Sequence, residues 1–204
     1  VFVTSHHHRQ GELIGDLAIG HYQYLDRLGS GGMGVVYKVF DIRSQMTVAM
    51  KILRDSLSSS SKALDRFFRE ARIAATLNHR NIVKIFDYNI SNMAGQSFIV
   101  MEYVDGPSVR EIIDRQFQNS KPVDLAYITE ILFYVIQLAD ALEATHKKGI
   151  IHRDIKPDNI MVNSLGEVKI TDFGIVHIEE ANFTPSGAML GTPRYMAPEQ
   201  VTGG

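Results

Sequence analysis

Residues 27–39, RLGSGGMGVVYKV, place four glycines within six positions and then continue as a run of alternating apolar residues. Alternation with a period of two is typical of a β-strand with one buried face. A dinucleotide-binding fold needs a strand, the glycines and then a helix, so the strand that follows these glycines excludes that fold. Two interpretations remain. The glycines form an ordinary flexible turn, or they keep the backbone bare so that its N–H groups can bind phosphate.

The composition limits the class of protein. The chain has 204 residues, 45% of them hydrophobic, which is enough for one large domain or two small lobes. Its 21 Lys and Arg residues nearly balance 23 Asp and Glu residues, which disfavours nucleic acid and an anionic membrane as partners. It has no cysteine, which excludes a disulfide scaffold and thiolate metal sites. No apolar run approaches the ~18 residues of a membrane span and no signal-peptide pattern is found, so we expect a soluble chain.

The pattern of apolar residues predicts strands first and helices later. Alternating runs at 22–28, 35–40 and 47–53 predict three antiparallel strands, and 81–90 and 96–104 predict two more. Between them, apolar residues at helical spacing after the serines at 58–61 predict one helix that ends near Asn78. A stripe from Leu125 to His146, closed by Gly149, predicts a long buried helix. NIMV and EVKI then predict a hairpin.

Several polar residues have both an ordinary and a functional interpretation. Lys51, at the end of the third strand, is either a solvated lysine or a cation that reaches toward the glycine turn. Glu70 is either a charge at the edge of the helix or the partner of Lys51. His6, His7 and His8 are either metal ligands or part of a solvated tail. The oxygen ligands of Asp154, Asp158, Asn159 and Asp172 suit Mg²⁺ rather than Zn²⁺.

Five motifs occur in one order: GSGGMGVV at 29–36, VAMK at 48–51, HRDIKPDN at 152–159, DFG at 172–174 and APE at 197–199. Together they resemble the eukaryotic-like (Hanks-type) serine/threonine protein kinases. The stretches GGMGVVYK and YMAPEQ are most similar to the bacterial members. The resemblance covers residues 21–204.

This resemblance implies an α+β, two-lobed protein kinase fold. Its N-lobe has an antiparallel sheet with one regulatory helix, and its C-lobe is mostly helical and incomplete. We expect an N-terminal extension at 1–20, the N-lobe with its hinge at 21–104, and at 105–204 a C-lobe truncated before its last helices. Apolar surface on the long helix would then be uncovered.

The resemblance also implies an ATP site. Residues 29–34 would close over the phosphates, Val36, Ala49 and Met161 would line the adenine slot, Met101 would be the gatekeeper, and backbone groups of Glu102 and Val104 would bond the purine. The full set of expected ATP-binding residues is Leu28, Gly29, Ser30, Gly31, Gly32, Met33, Gly34, Val36, Ala49, Lys51, Met101, Glu102, Val104 and Met161.

By the same resemblance, Asp154 orients the attacking hydroxyl and accepts its proton, and Lys156 steadies the γ-phosphate. Lys51, fixed by Glu70, holds the α- and β-phosphates. Asn159 and Asp172 hold Mg²⁺, with Mn²⁺ as an alternative ion. Phosphoryl transfer depends mainly on such positioning and charge neutralisation.

The family further implies regulation. Arg153 would capture a phosphate on the activation segment, where Thr184 and Ser186 are either phosphorylation sites or ordinary loop residues. Thr192 would bond near Asp154 and Lys156. We therefore expect a cytoplasmic serine/threonine kinase, or the cytoplasmic domain of a longer membrane-anchored protein, that acts on protein substrates, undergoes activation-loop autophosphorylation and forms a kinase homodimer. The alternatives are a nucleotide-binding pseudokinase-like scaffold, an inactive fragment and a small-molecule phosphotransferase.

Overall fold

The computed structural model describes residues 20–54, 57, 60–89, 97–118 and 123–172, together with positions 195, 197 and 198. The side chains of residues 62, 66 and 70 lie outside this description. Some of the residues singled out above are therefore not described: His6, His7, His8, Phe173, Gly174, Thr184, Ser186, Thr192, Glu199 and the side chain of Glu70. The boundaries of the extension and the two lobes stay predictions.

A five-stranded antiparallel sheet contains the first half of the described structure. In chain order its strands are β1 (Tyr22–Ser30), β2 (Gly34–Asp41), β3 (Met46–Leu53), β4 (Ile85–Asn89) and β5 (Phe98–Glu102). Across the sheet the order is β1-β2-β3-β5-β4. The five strands, and the helix at Ser61–Ala75 between β3 and β4, confirm the α+β pattern predicted for this part of the chain.

One face of this sheet carries a cluster of buried apolar side chains. Residues directly opposite each other in antiparallel strands share a face. Tyr37 pairs with Met50, and Met50 pairs with Val100, which places all three on the same face. The buried cluster on this face consists of Tyr22, Val35, Tyr37, Val39, Val48, Met50, Ile52, Phe98 and Val100. Because successive side chains of a strand point to opposite faces, the residues between these lie on the other face of the sheet.

Helix α1 (Ser61–Ala75) packs against that opposite face. It begins after Ser60, whose Oγ accepts a hydrogen bond from the backbone N–H of Ala63 at 3.3 Å. Its apolar side and the strands share a buried cluster of Leu53, Phe67, Phe68, Ala71 and Ile99. The same face carries Lys51 and Met101, so the site residues of β3 and β5 lie between the sheet and the elements beneath it.

Helix α2 (Val109–Gln118) follows the hinge and was not distinguished in the sequence. Ser108 and Glu111 cap it reciprocally: the N–H of Ser108 donates to Glu111 Oε2 at 2.7 Å, and the N–H of Glu111 donates to Ser108 Oγ at 3.2 Å. Just before this cap, a Cβ on Gly106 would lie 1.9 Å from the carbonyl oxygen of Val162. Only glycine allows the hinge to approach the following hairpin so closely.

Helix α3 (Leu125–His146) has the predicted bounds but is more exposed than predicted. Its start is capped by Asp124, and Gly149 follows its end with a φ of 71°, as predicted for a well-capped helix. The prediction of a buried helix is wrong, because among the described residues only one edge of α3 has packing partners. Its fully buried residues are Tyr134, Ala141 and Thr145, whereas Leu125, Leu132 and Ile136 are 56–77% exposed.

This exposure agrees with the expectation of uncovered apolar surface on the long helix. Within the described part of the chain, α3 is also the helix whose length and composition would suffice to cross a membrane. Core helices meet the same criterion, and Asp140 and Glu143 interrupt its apolar character. Its inner edge packs on the hairpin described next, as the edge of a core helix does.

A small hairpin of β6 (Ile160–Val162) and β7 (Val168–Ile170) connects the sheet with the helical part. Ile170 forms a parallel bridge with Ile82, and the backbone N–H of Val83 donates to its carbonyl oxygen at 3.0 Å. The N–H of Ile170 donates in turn to Asn81 O at 2.9 Å. The end of β7, which leads to Asp172, is therefore fixed against the loop that follows α1.

Candidate active site

The glycine-rich stretch forms the tip of the β1–β2 hairpin. The backbone N–H of Gly31 donates to the carbonyl oxygen of Gly34 at 2.9 Å. A Cβ on Gly34 would lie 2.2 Å from the carbonyl oxygen of Ile52, so the close approach of β2 to β3 requires this glycine. A Cβ on Gly29, Gly31 or Gly32 would meet nothing within 4 Å. Packing within the chain does not explain these three glycines, which fits a backbone kept bare for a ligand.

The other predicted ATP-binding residues line the sheet face below this tip and the hinge. Val36 lies opposite Lys51, and Ala49 lies opposite Met101, so all four share one face. The predicted ATP-binding residues differ in exposure: Ala49 and Val104 are buried, Met33, Met101, Glu102 and Met161 are half-buried, and Leu28 and Ser30 are exposed. Met161 bridges to Ser108 just beyond the hinge.

A cavity lies between α1, the sheet and β7. Its lining residues are Lys51, Ala71, Ala74, Val83, Ile85, Ile99, Met101, Ile170, Thr171 and Asp172. The cavity includes Met101 and residues of α1 but not the glycine tip, so it lies behind the predicted gatekeeper. It therefore brings Lys51 of the sheet and Asp172, which follows the hairpin, to one space.

Lys51 and Asp172 form an ion pair in this space. Lys51 Nζ lies 2.6 Å from Asp172 Oδ1, although the two residues are 121 positions apart in the sequence. The side chain of Lys51 is 12% exposed and that of Asp172 is 44% exposed, so the pair stands at the edge of the solvent. Asp172 has a φ of 49°, a left-handed conformation that is uncommon for aspartate and frequent at functional sites.

Asp154 is held by two neighbours through one oxygen. Lys156 Nζ donates to Asp154 Oδ2 at 2.8 Å, and Asn159 Nδ2 donates to the same oxygen at 2.9 Å. Asn159 Nδ2 also donates to the backbone carbonyl of Asp154 at 2.9 Å. These bonds leave Oδ1 as the oxygen of Asp154 that can accept a proton from a bound hydroxyl group. The bond from Lys156 is charge-assisted and therefore strongly orienting.

His152 connects the two acidic residues, although the sequence analysis gave it no role. Its ring is 1% exposed. Nδ1 accepts a hydrogen bond from the backbone N–H of Asp154 at 3.3 Å, so Nε2 carries the proton and donates to the carbonyl oxygen of Thr171 at 3.0 Å. One neutral imidazole thus sets the distance between the backbone of Asp154 and that of the residue before Asp172.

Burial lowers the pKa of His152 below its ordinary 6.5, against the opposing effects of the Thr171 carbonyl, Asp154 and Asp172. The folded state therefore favours the neutral ring, while the unfolded chain binds a proton near pH 6.5. We expect the stability contributed by neutral His152 to be complete above pH 6.5 and to be lost as the pH falls through the lowered pKa, with a maximum slope of about 1.4 kcal/mol per pH unit for one proton.

Thermal unfolding between pH 8 and pH 5 measures this effect, with His152→Gln as the control. The glutamine variant has no titrating ring, so its unfolding temperature should fall less steeply over the acidic part of this range. An equal slope in both proteins would contradict the assignment.

Asn159 and Asp172 fit the predicted cation site. Both hydrogen bonds of Asn159 use its amide nitrogen, so its side-chain oxygen is the atom that can bind a cation. Within the described residues, no group of three or more His, Asp or Glu side chains converges on a metal-sized space. Mg²⁺ is usually bound through one or two protein carboxylates, and phosphate and water complete its shell. Asp158, the other oxygen ligand considered, lies 3.9 Å from Arg110 Nε instead.

Other predicted site residues are described in part or not at all. Because the side chain of Glu70 is not described, the Lys51–Glu70 pair stays a prediction. Arg153 is half-buried with a φ of 66°, and the predicted phosphorylation sites that it would contact are not described. Tyr195, near the APE motif, accepts a hydrogen bond from Arg110 of α2, whose guanidinium lies 5.8 Å from its ring centre.

Comparisons with known proteins identify a matching family model and several similar chains. The family model for the protein kinase domain matches residues 22–204. Serine/threonine-protein kinase PknA of Mycobacterium tuberculosis is 37% identical over 194 residues, which cover 93% of this chain and 43% of that protein. Serine/threonine-protein kinase PrkC of Bacillus subtilis is 38% identical over 193 residues, which cover 94% of this chain and 28% of that protein. The chain thus spans less than half the length of these curated relatives.

A solved structure is similar as well. The crystal structure of the PknI kinase domain of Mycobacterium tuberculosis matches with a TM-score of 0.62 and 31% sequence identity. The match covers 76% of this chain and 60% of the solved chain.

Proposed function

The chain belongs to the protein kinase family, and from this premise we propose that it transfers the γ-phosphate of ATP to serine and threonine hydroxyls of protein substrates. The observation that carries the proposal is the arrangement around His152. Its two ring nitrogens connect Asp154, the candidate proton acceptor, to Thr171 and hence to Asp172, the candidate cation ligand. Phosphoryl transfer needs these two carboxylates at a fixed separation, because catalysis depends on positioning.

Each residue of the site has a distinct part in this proposal. The glycine tip closes over the phosphates, and Lys51 contributes a cation to them when it leaves Asp172. Asp154 Oδ1 accepts the proton of the attacking hydroxyl, while Lys156 and Asn159 keep that carboxylate in place through Oδ2. Asn159 and Asp172 are the residues that would hold Mg²⁺, which would supply positive charge to offset that of the phosphates. Mn²⁺ fits the same oxygen ligands.

Protein substrates and a cytoplasmic site of action are parts of the same proposal. The relatives are named serine/threonine-protein kinases, which supports hydroxyl acceptors on proteins. We further propose that the chain forms a kinase homodimer and makes no membrane contact within this segment. It is either a cytoplasmic protein or the cytoplasmic domain of a longer membrane-anchored protein.

The experiment that tests this function is incubation of the 204-residue chain with Mg²⁺, ATP labelled at the γ-phosphate and a generic basic protein, followed by phosphoamino-acid analysis. We expect label on phosphoserine and phosphothreonine of the protein. Label mainly on phosphotyrosine, or label that passes to a small metabolite and not to protein, would contradict the proposal. Nucleotide binding without any transfer would favour a nucleotide-binding scaffold instead.

The same reaction tests regulation by autophosphorylation. We propose that Thr184 or Ser186 receives phosphate and that Arg153 then binds it, because an arginine next to the proton acceptor can order a phosphorylated segment. Mass spectrometry of the chain after the reaction should detect phosphate on one of these residues. If both remain unmodified while the substrate protein is labelled, this mode of regulation is excluded.

A further inference from the structure

Lys169 is a nearly buried lysine that the proposed mechanism does not use. It lies in β7 with 9% of its surface exposed. Lysine is almost never so buried unless its charge is paired, because an unpaired ammonium group loses its hydration without compensation. Its Nζ lies 2.5 Å from Oε1 of Glu102, the last residue of β5. The pair therefore joins the hairpin that leads to Asp172 with the end of the central sheet.

Glu102 is fixed from a second direction by the loop before β4. Its Oε2 accepts the backbone N–H of Lys84 at 3.2 Å, and its own N–H donates to the carbonyl oxygen of Lys84 at 2.8 Å. Both oxygens of the carboxylate thus have a donor: Lys169 of the hairpin at Oε1 and the backbone of Lys84 at Oε2. The next residue, Tyr103, lies under Lys38 of β2, with Nζ 4.5 Å from the ring centre.

These contacts all fix Glu102 or its neighbour Tyr103, and the backbone of Glu102 is expected to bond the purine. Lys169 precedes Asp172 by three residues, so the ion pair also connects the expected purine-binding backbone with the expected cation ligand. A mostly buried ion pair adds little net stability over well-packed apolar side chains, since desolvation offsets its Coulomb attraction. Unlike apolar side chains, the ion pair fixes the direction and distance between β7 and the end of β5.

We propose that Lys169 and Glu102 form a positioning pair that holds the hinge backbone in the geometry needed to bind the nucleotide. This inference rests on the proposed function. Neither side chain needs to touch the nucleotide: the ammonium group acts through the Glu102 carboxylate, and the backbone of Glu102 makes the expected contact. The pair is thus distinct from Lys51 and Asp172, which act at the phosphates.

The test measures binding of a non-hydrolysable ATP analogue with Mg²⁺ by calorimetry, and thermal unfolding, for the 204-residue chain and four variants, one of them a control. Lys169→Met leaves the Glu102 carboxylate without its cation. Glu102→Gln removes the negative charge that pairs with Lys169. Lys169→Met/Glu102→Met removes both charges. Arg80→Met is the matched control, because it removes another ion pair of the same hairpin: Arg80, in the loop before β4, lies 2.5 Å from Glu167, and its side chain is 70% exposed.

We expect Lys169→Met and Glu102→Gln to weaken analogue binding about tenfold, which corresponds to roughly 1.4 kcal/mol, and Arg80→Met to leave it unchanged. In a kinase assay the loss should raise the KM for ATP with little change in kcat. The double variant separates positioning from stability. It should recover the unfolding temperature, since it contains no unpaired charge, and still bind the analogue more weakly than the wild type.

Recovery of both stability and affinity in the double variant, or unchanged affinity in the folded single variants, would overturn the positioning role alone. The double variant decides the matter if a single variant does not fold. If the wild-type chain does not bind the analogue, the proposed function fails and this inference fails with it.

Discussion

Replacement of Asp154 by asparagine is expected to lower the rate of phosphoryl transfer by about 10²- to 10⁴-fold, the usual contribution of a positioned proton acceptor. The amide has the shape of the carboxylate, so its oxygen can still accept the bonds from Lys156 and Asn159 that now end on Oδ2. Its NH₂ group then occupies the position of Oδ1. A donor thus replaces the acceptor that would receive the hydroxyl proton, with little change in packing.

Initial rates of labelled phosphate transfer to a protein substrate measure this loss, and analogue binding shows whether the site stays intact. Asp158→Asn is the matched control, because it makes the same chemical change in the same loop on a half-exposed side chain 3.9 Å from Arg110 Nε. We expect this control to keep nearly the full rate. A rate for Asp154→Asn within a few-fold of the control would show that Asp154 is not the proton acceptor.

The sequence predicted the elements of the sheet, because these depend on local patterns, and it supplied the residues proposed for the site. The alternation in 35–40 and 47–53 indicates which residues share a face, and this is enough to bring Val36, Ala49 and Lys51 together. The order of the five motifs then identified Asp154, Asn159 and Asp172 by resemblance. The Lys51–Asp172 contact does not follow from these patterns, since it depends on how β7 docks against the loop after α1, as the Ile82–Ile170 bridge shows.

Predictions from the sequence were weakest where tertiary partners decide the outcome. The apolar stripe of α3 predicts burial, but periodicity reports only that a helix has an apolar face and not what covers it. His152 and Lys169 were overlooked because a histidine or lysine in a short apolar run has no distinctive spacing. For His152 the available signal was its fixed place before Arg153 and Asp154. For Lys169 the signal was a charged residue between the apolar residues Val168 and Ile170, in a short strand whose composition indicates burial.

Replacement of Asp172 by asparagine is expected to be the second most severe change. If Asp172 holds Mg²⁺ with Asn159, loss of its negative charge removes the stronger of the two expected protein ligands. Transfer should fall roughly 10²- to 10³-fold, a loss typical for one major electrostatic contribution to a transition state. Metal dependence distinguishes this loss from the loss of a proton acceptor. The wild-type chain should bind the ATP analogue more tightly with Mg²⁺ than with EDTA, and this difference should shrink in the variant.

The ion pair with Lys51 gives this prediction a second and opposite signature. Lys51 Nζ lies 2.6 Å from Asp172 Oδ1, so phosphates that bind Lys51 must compete with this carboxylate. Without Mg²⁺, Asp172→Asn should therefore bind the analogue at least as tightly as the wild type, because the Asp172 carboxylate no longer competes with the phosphates for Lys51. Asp140→Asn, which changes an exposed carboxylate of α3 that lies 3.2 Å from His79, is the control for charge alone and should change neither result. Weaker binding of the analogue in EDTA, with the Mg²⁺ dependence retained, would mean that Asp172 orders the site through Lys51 rather than through a cation.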